Sequence, residues 1–363
     1  MSWLYGLLGI HETQYDYVSK IGQELVFEAT AQYLERVNQD MALALGVFVE
    51  GVTEAHQERY LLPSGGYMQA RGGGARSGAV KGLGQWDVGY PLLDFGDQIA
   101  LTDVAMAYLS PAEYQKHVEG VVIRASNTVR REILHRLFNN TAYTFADPVR
   151  GNVTVQPLAN GDSVLYPPVL GTMVETTENH YLTTTYAAGA ISDANNPYVT
   201  IHDELAEHFS RSTGGQNIIV FINKAQAGAT RLLKSFIPMA DVYTVPANDQ
   251  PQLVNLPDLP STAEVIGRLD GCWVVIWDYI PQGYMLAIHG DEPAPLKQRV
   301  DPINTGLPRG LALVRQSNES PLVSAEWRWR FGIGTGNRLN GVVLQLRGDG
   351  DPYEAPSGFG SWG

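Results

Sequence analysis

Three groups of residues have types and spacings that could do chemistry. The first is the glycine-rich run YMQARGGGARSGAVKGLG at residues 67–84. Gly73 and Gly78 have the spacing of a phosphate-cradling loop. That loop needs a lysine directly after the second glycine, then Ser or Thr to hold magnesium. Here Ala79 and Val80 follow, Lys81 comes too late, and no hydroxyl residue follows it. A dinucleotide fingerprint needs a helix after the glycines, and Trp86, Tyr90 and Pro91 are a poor helix start. The run therefore reads as a mobile surface loop or as an arm that reaches another molecule.

The second group is HDELAEH at residues 202–208. Glu204 and His208 share a helix face, but a zincin motif needs two histidines four apart. His202 and His208 are six apart and point differently, so a solvated face is expected and no metal site. The third group is Asp349 and Asp351, which lie in a tail with no visible pocket and read as solvated. No G-x-S-x-G nucleophile elbow occurs. The single cysteine, Cys272, excludes an internal disulfide and a Cys-rich zinc site. It lies in GCWVVIWDYI and reads as a small buried hydrophobe. No catalytic residue, metal or cofactor is expected, which points away from an enzyme.

The elements that must position these residues follow from pattern. The chain has 363 residues, 44% hydrophobic and 17% charged, a folded profile with room for one large domain or two smaller ones. Its formal charge of −13 disfavours tight nucleic-acid binding, although an acidic chain can surround nucleic acid without sticking to it. No apolar run is long enough for a membrane span, and the N-terminus lacks a secretory signal pattern. Within residues 14–50, Ile21, Leu25, Ala29, Tyr33, Val37, Met41 and Leu45 recur at every fourth position and predict a helix. Strand-like pieces on both sides of the glycine run, QERYLL and GQWDVGYPLLDF, predict a long hairpin. A loop of that length needs a function or a partner.

Ser110, Pro111 and Glu113 form a capping signature for a helix over residues 111–138. Its apolar stripe is Val118, Val122, Ala125, Val129, Ile133 and Leu137. NVTVQPLANGDSVLYPP reads as a hairpin turning at Asn160-Gly161. Residues 201–234 read helix, buried strand, helix, the strand being NIIVFIN. GCWVVIWDYI and YMLAIHG read as a second strand pair. SAEWRWRFGIGTGNRLNGVVLQLR reads as two strands joined by glycine and asparagine, and the tail GDGDPYEAPSGFGSWG as flexible.

This order of elements resembles the major capsid proteins of tailed phages, the Hong Kong 97-type fold shared with encapsulins. Three stretches carry the resemblance: the hairpin just before the long helix, HDELAEHFSRSTGGQNIIVFINKAQAGATRLL, and WRWRFGIGTGNRLNGVVLQL. It implies an α+β fold. Residues 1–55 would be an N-terminal arm with a helix, 56–104 an extended E-loop, and 105–190 a P-domain with the spine helix 111–138. Residues 191–320 would be an α/β A-domain with surface loops, 321–347 a strand pair returning to the P-domain, and 348–363 a flexible tail.

The resemblance also implies a shell subunit that forms pentamers and hexamers around viral double-stranded DNA. Portal, scaffold and decoration proteins would be further partners. It would be assembled in the host cytoplasm and located in the virion. An encapsulin-type shell is the alternative within the same fold, and a soluble α/β enzyme the alternative outside it. Under this reading the glycine run is the arm that lies over a neighbour. Arg71, Arg76, Lys81, Trp86 and Tyr90 become its contact residues. Some such shells crosslink an E-loop lysine to a neighbour's asparagine. The candidates here are Lys81 with Asn337 or Asn340, against an ordinary salt bridge and turn roles, and no crosslink is expected.

Overall fold

Helix α1 (Gln23–Ala44) opens the part of the chain that the computed structural model describes. The described residues are 17–18, 23–61, 85–170, 172, 174–184, 190–208, 217–239, 259–260, 262–317, 322–348 and 351–359. The buried face of α1 is Val26, Ala29, Thr30 and Leu34, while Leu25 is exposed. Of the every-fourth-residue stripe, Ala29 is buried and Tyr33, Met41 and Leu45 pack half-buried against the same core, while Leu25 faces solvent. A buried face mixes steps of three and four. Ile21 lies outside the described residues.

Strand β1 (Val49–Thr53) leads into β2 (Gln57–Leu61), which pairs antiparallel with β3 (Gln85–Gly89). This is the hairpin expected from sequence. Strand β4 (Leu93–Thr102) and the short helix α2 (Asp103–Tyr108) follow. Helix α3 (Pro111–Phe138) then starts at the expected cap. The Ser110 hydroxyl accepts from the Glu113 amide at 3.3 Å, and the Glu113 carboxylate accepts from the Ser110 amide at 3.0 Å. Its 28 residues span about 42 Å. Val118, Val121, Val129, Ile133 and Leu137 are buried, with Val122 and Ala125 half-buried beside them.

Strands β5 (Tyr143–Asp147) and β6 (Gly151–Val155) pair with each other. The hairpin therefore turns at residues 148–150 and not at Asn160-Gly161. Asp147 builds that turn by accepting the amides of Val149 and Arg150, both at 2.9 Å. Then come β7 (Tyr181–Thr183), α4 (Pro197–Ala206), β8 (Ile218–Ile222) and α5 (Lys224–Arg231). The remaining strands are β9 (Ile237–Pro238), β10 (Glu264–Leu269), β11 (Cys272–Ile276), β12 (Tyr284–His289), β13 (Leu296–Arg299), β14 (Ala312–Ser317), β15 (Leu322–Thr335) and β16 (Val342–Gln345).

A seven-stranded sheet runs β7-β16-β12-β8-β11-β10-β9. The central strand β8 is buried on both faces: Ile219 and Phe221 join the main core, and Ile218, Val220 and Ile222 a second core under α4. Cys272 is buried in the second core, as expected. Strands β11 and β12 do not pair with each other, because β8 lies between them. Instead β11 pairs with β10 through Asp270-Gly271, both at positive φ (46° and 88°), a turn that Asp-Gly favours.

The second sheet joins β1, β13, β15 and β14, with β4 along β15. Strands β15 and β16 are therefore also not a pair: they enter different sheets. The tail is not free either. Tyr353 donates to the Phe138 carbonyl at 2.6 Å, Phe359 stacks on Phe138, and its carbonyl bonds to His135. Among the described residues, no helix is long and apolar enough to cross a membrane.

Candidate functional site

The base of the β2–β3 hairpin is where sequence-predicted residues and structure meet. Arg59 and Asp87 face each other across the ladder and form a bidentate pair at 2.6 and 2.8 Å. Both side chains are exposed, so solvent screening leaves the pair little stabilising weight. On the other face Tyr60 stacks on Trp86 with ring centroids 5.9 Å apart and planes at 9°. Trp86 is only 5% exposed, packs on Tyr166 and donates its indole N–H to the Gly336 carbonyl at 3.2 Å. Val88, Tyr90, Ala159 and Leu339 complete this small core. Burying such an aromatic pair stabilises by several kcal/mol, which fixes the direction in which the hairpin leaves the subunit.

A polar layer lies beside the stack. Glu58 accepts from Lys297 at 3.0 Å, from Thr53 at 2.6 Å, and from the Tyr60 and Tyr90 hydroxyls at 3.3 and 3.4 Å. The two hydroxyls also lie 2.9 Å apart, so two protons serve three contacts. Burial raises the Glu58 pKa, but the Thr53 and Lys297 donors outweigh it and hold the carboxylate below its usual value. Burial acts against the Lys297 ammonium, and its bonds to Tyr60 and Glu58 nevertheless hold it above the usual range. Burial pushes the Tyr90 phenol far up, so it stays protonated. Arg299 donates to the Tyr90 carbonyl at 2.8 Å and pairs with the Asp147 carboxylate at 2.6 Å. Burial raises Asp147 too, but its amide and guanidinium donors bring it below the ordinary carboxylate value.

The hairpin base rests on bare backbone. Gly332, Gly334 and Gly336 alternate along FGIGTG, so they share one face. A Cβ at Gly332 would meet the Pro91 carbonyl oxygen at 1.9 Å, one at Gly334 the Tyr90 ring at 2.6 Å, and one at Gly336 the Tyr60 hydroxyl at 2.3 Å. Glycine at every second strand position is the signal that could have marked this crossing from sequence.

Of the sequence-predicted residues, Arg71, Arg76 and Lys81 lie outside the described residues. Trp86 and Tyr90 are brought together with Tyr60, buried in their own subunit. Asn340 is fully buried. Its amide donates to the carbonyls of His289 (3.1 Å) and Pro293 (2.8 Å), and its oxygen accepts from the His289 amide (2.8 Å). Asn337 accepts from the Leu339 amide at 3.2 Å, a turn role. Asp351 pairs with Arg347 at 3.2 Å, and Asp349 lies outside the described residues. Burial pushes the Cys272 thiol up to about 12, which leaves it inert. His202 and His208 do not converge: His202 contacts Asp203, and His208 lies against Glu178 and Glu207.

No protein-family model and no curated protein sequence matches the chain. Solved structures do. A chain from Mycobacterium phage Patience superposes over 92% of both chains with a TM-score of 0.66 at 22% identity. A chain from the asymmetric unit of the bacteriophage PhiM1 mature capsid covers 81% of this chain and 83% of its own length, with a TM-score of 0.51 at 10% identity. This is the Hong Kong 97-type capsid fold. The glycine-bearing end of β15 is where the base of the β2–β3 hairpin packs against backbone.

Proposed function

We propose that the chain is the major capsid protein of a tailed phage. Copies assemble into pentamers and hexamers that close an icosahedral head around double-stranded DNA in the virion. The observation that carries this reading is the superposition on a phage protein over 92% of both chains. The buried root of the hairpin supports an arm. Trp86 and Tyr90 anchor it within its own subunit, and Arg71, Arg76 and Lys81 supply cationic groups for a neighbour's acidic surface. The net charge of −13 suits a wall that encloses DNA without sequence-specific contacts. Portal, scaffold and decoration proteins are the further partners such a head uses.

Sedimentation and negative-stain microscopy of the recombinant protein test this. Capsomers or megadalton shells are expected. A chain that stays monomeric at every salt and protein concentration overturns the proposal, and small shells filled with enzyme cargo redirect it to an encapsulin. Trypsin tests the arm: cleavage after Arg71 and Arg76 should be slower in particles than in free capsomers. Equal rates in both leave the segment without a neighbour.

A further inference from the structure

The end of α4 carries an arrangement that the shell reading does not use. His208 lies just beyond the helix with its side chain 3% exposed, and neither ring nitrogen has a hydrogen-bond partner. Its Nε2 is 3.5 Å from a carboxylate oxygen of Glu178 and 3.5 Å from one of Glu207. All three candidate ligand atoms fall within 4.8 Å of one another. Glu178 comes from the segment before β7, where the Thr176 hydroxyl also donates to it. The Glu207 carbonyl is fixed by the Leu170 amide at 2.8 Å. Two carboxylates therefore converge on one buried imidazole at a spacing longer than that of an ordinary hydrogen bond.

That spacing is right for something else. Ligands about 2.1 Å from a tetrahedral ion are about 3.4 Å from each other, close to both distances seen here. We propose that Glu178, Glu207 and His208 bind a divalent transition-metal ion, with a water completing the shell. One imidazole with two carboxylates suits Zn2+ or a similar ion, whereas Ca2+ and Mg2+ prefer all-oxygen sites. The ion would staple the segment entering β7 to the end of α4, tying the edge of the seven-stranded sheet to the helix above it. The HDELAEH motif hides this site, because the third ligand comes from another segment.

The test uses the full chain, stripped with a chelator and dialysed against Zn2+. One equivalent per chain is expected, with the melting temperature raised by several degrees. His208→Gln and Glu178→Gln should each lose that equivalent while keeping the wild-type circular dichroism in chelator. His202→Gln, on the same helix, should retain it. Co2+ in place of Zn2+ should give the intense visible absorption of a four-coordinate site in the wild type and not in Glu178→Gln. A wild-type chain that binds no Zn2+ overturns the proposal, and so does an equivalent that survives both His208→Gln and Glu178→Gln.

Discussion

Replacing Gly332 by alanine is the sharpest perturbation of the β2–β3 hairpin base. The added Cβ would sit 1.9 Å from the Pro91 carbonyl oxygen, and real Cβ contacts do not fall below 3.0 Å. The two backbones must therefore separate by about 1.1 Å. Neither is free to move. Gly332 is paired with Arg299 of β13, and the Arg299 guanidinium donates to the neighbouring Tyr90 carbonyl at 2.8 Å. Stretching that bond by about 1 Å breaks it, at a cost of roughly 1.5–3 kcal/mol for a charged donor. Residual overpacking adds about 1–3 kcal/mol. Strand propensity opposes this, because alanine is better than glycine inside a strand by about 0.5–1 kcal/mol. The expected net loss is about 3 kcal/mol, a large share of a domain's stability.

Gly228→Ala is the matched control. That glycine is exposed within α5 and has nothing within 4 Å of its Cβ position, so alanine should stabilise by about 0.5–1 kcal/mol. Urea unfolding of the purified protein reads both midpoints, and hydrogen exchange over residues 85–92 localises the damage. The sign is diagnostic: a Gly332→Ala chain as stable as the wild type, or more stable, refutes the packing argument.

Trp86→Ala should cost about 3–5 kcal/mol locally and raise hydrogen exchange in β2 and β3, while Trp86→Phe keeps most protection; unchanged exchange in the alanine variant would count against the anchor. The His135 ring, held neutral by burial, beside Arg136 and bonded to Phe359, has its pKa lowered to about 4. Both folded and unfolded states are neutral above about 6.5, so its contribution is complete there. It is lost as pH falls from 6.5 towards 4, by up to about 3 kcal/mol. Melting curves across that window should slope, and His135→Asn should make the slope shallower, the buried His180, also lowered to about 4, keeping part of it; identical slopes in both proteins would remove His135 as a cause. Boiled, denatured particles should run as one band near 39.7 kDa, because Asn340 is buried with its amide fully engaged. A ladder abolished by Lys81→Arg would show a crosslink.

Elements whose causes are local are legible in the sequence. Helix α3 announces itself by Ser110, Pro111 and Glu113, and β8 by five apolar residues in a row. Partners are not legible in the same way. Strands β15 and β16 are neighbours in sequence, and only the packing of whole sheets sends them apart. The order β12-β8-β11 likewise depends on burying both faces of β8. The turn at Asp270-Gly271 had a readable signal, and the one at residues 148–150 had a weaker one in Asp147. At the arm root, Trp86 and Tyr90 are identifiable as important, but their burial depends on Tyr166 and Gly336, far away along the chain. The composition of the tail says nothing of Phe138 and His135, which receive it.

The long pairing of β4 with β15 sets how the subunit responds to mechanical load. Ten residues of β4, Leu93 to Thr102, are in register with Phe331 to Leu322. Strand β4 follows the β2–β3 hairpin directly, so tension on that hairpin enters the fold along the axis of β4. Antiparallel hydrogen bonds lie across that axis, and a pull along it loads the ladder in shear. The bonds then share the force and do not open one after another, as they would if the strand were peeled from its end. A pull on the β2–β3 hairpin is thus met by the joint that resists this direction best.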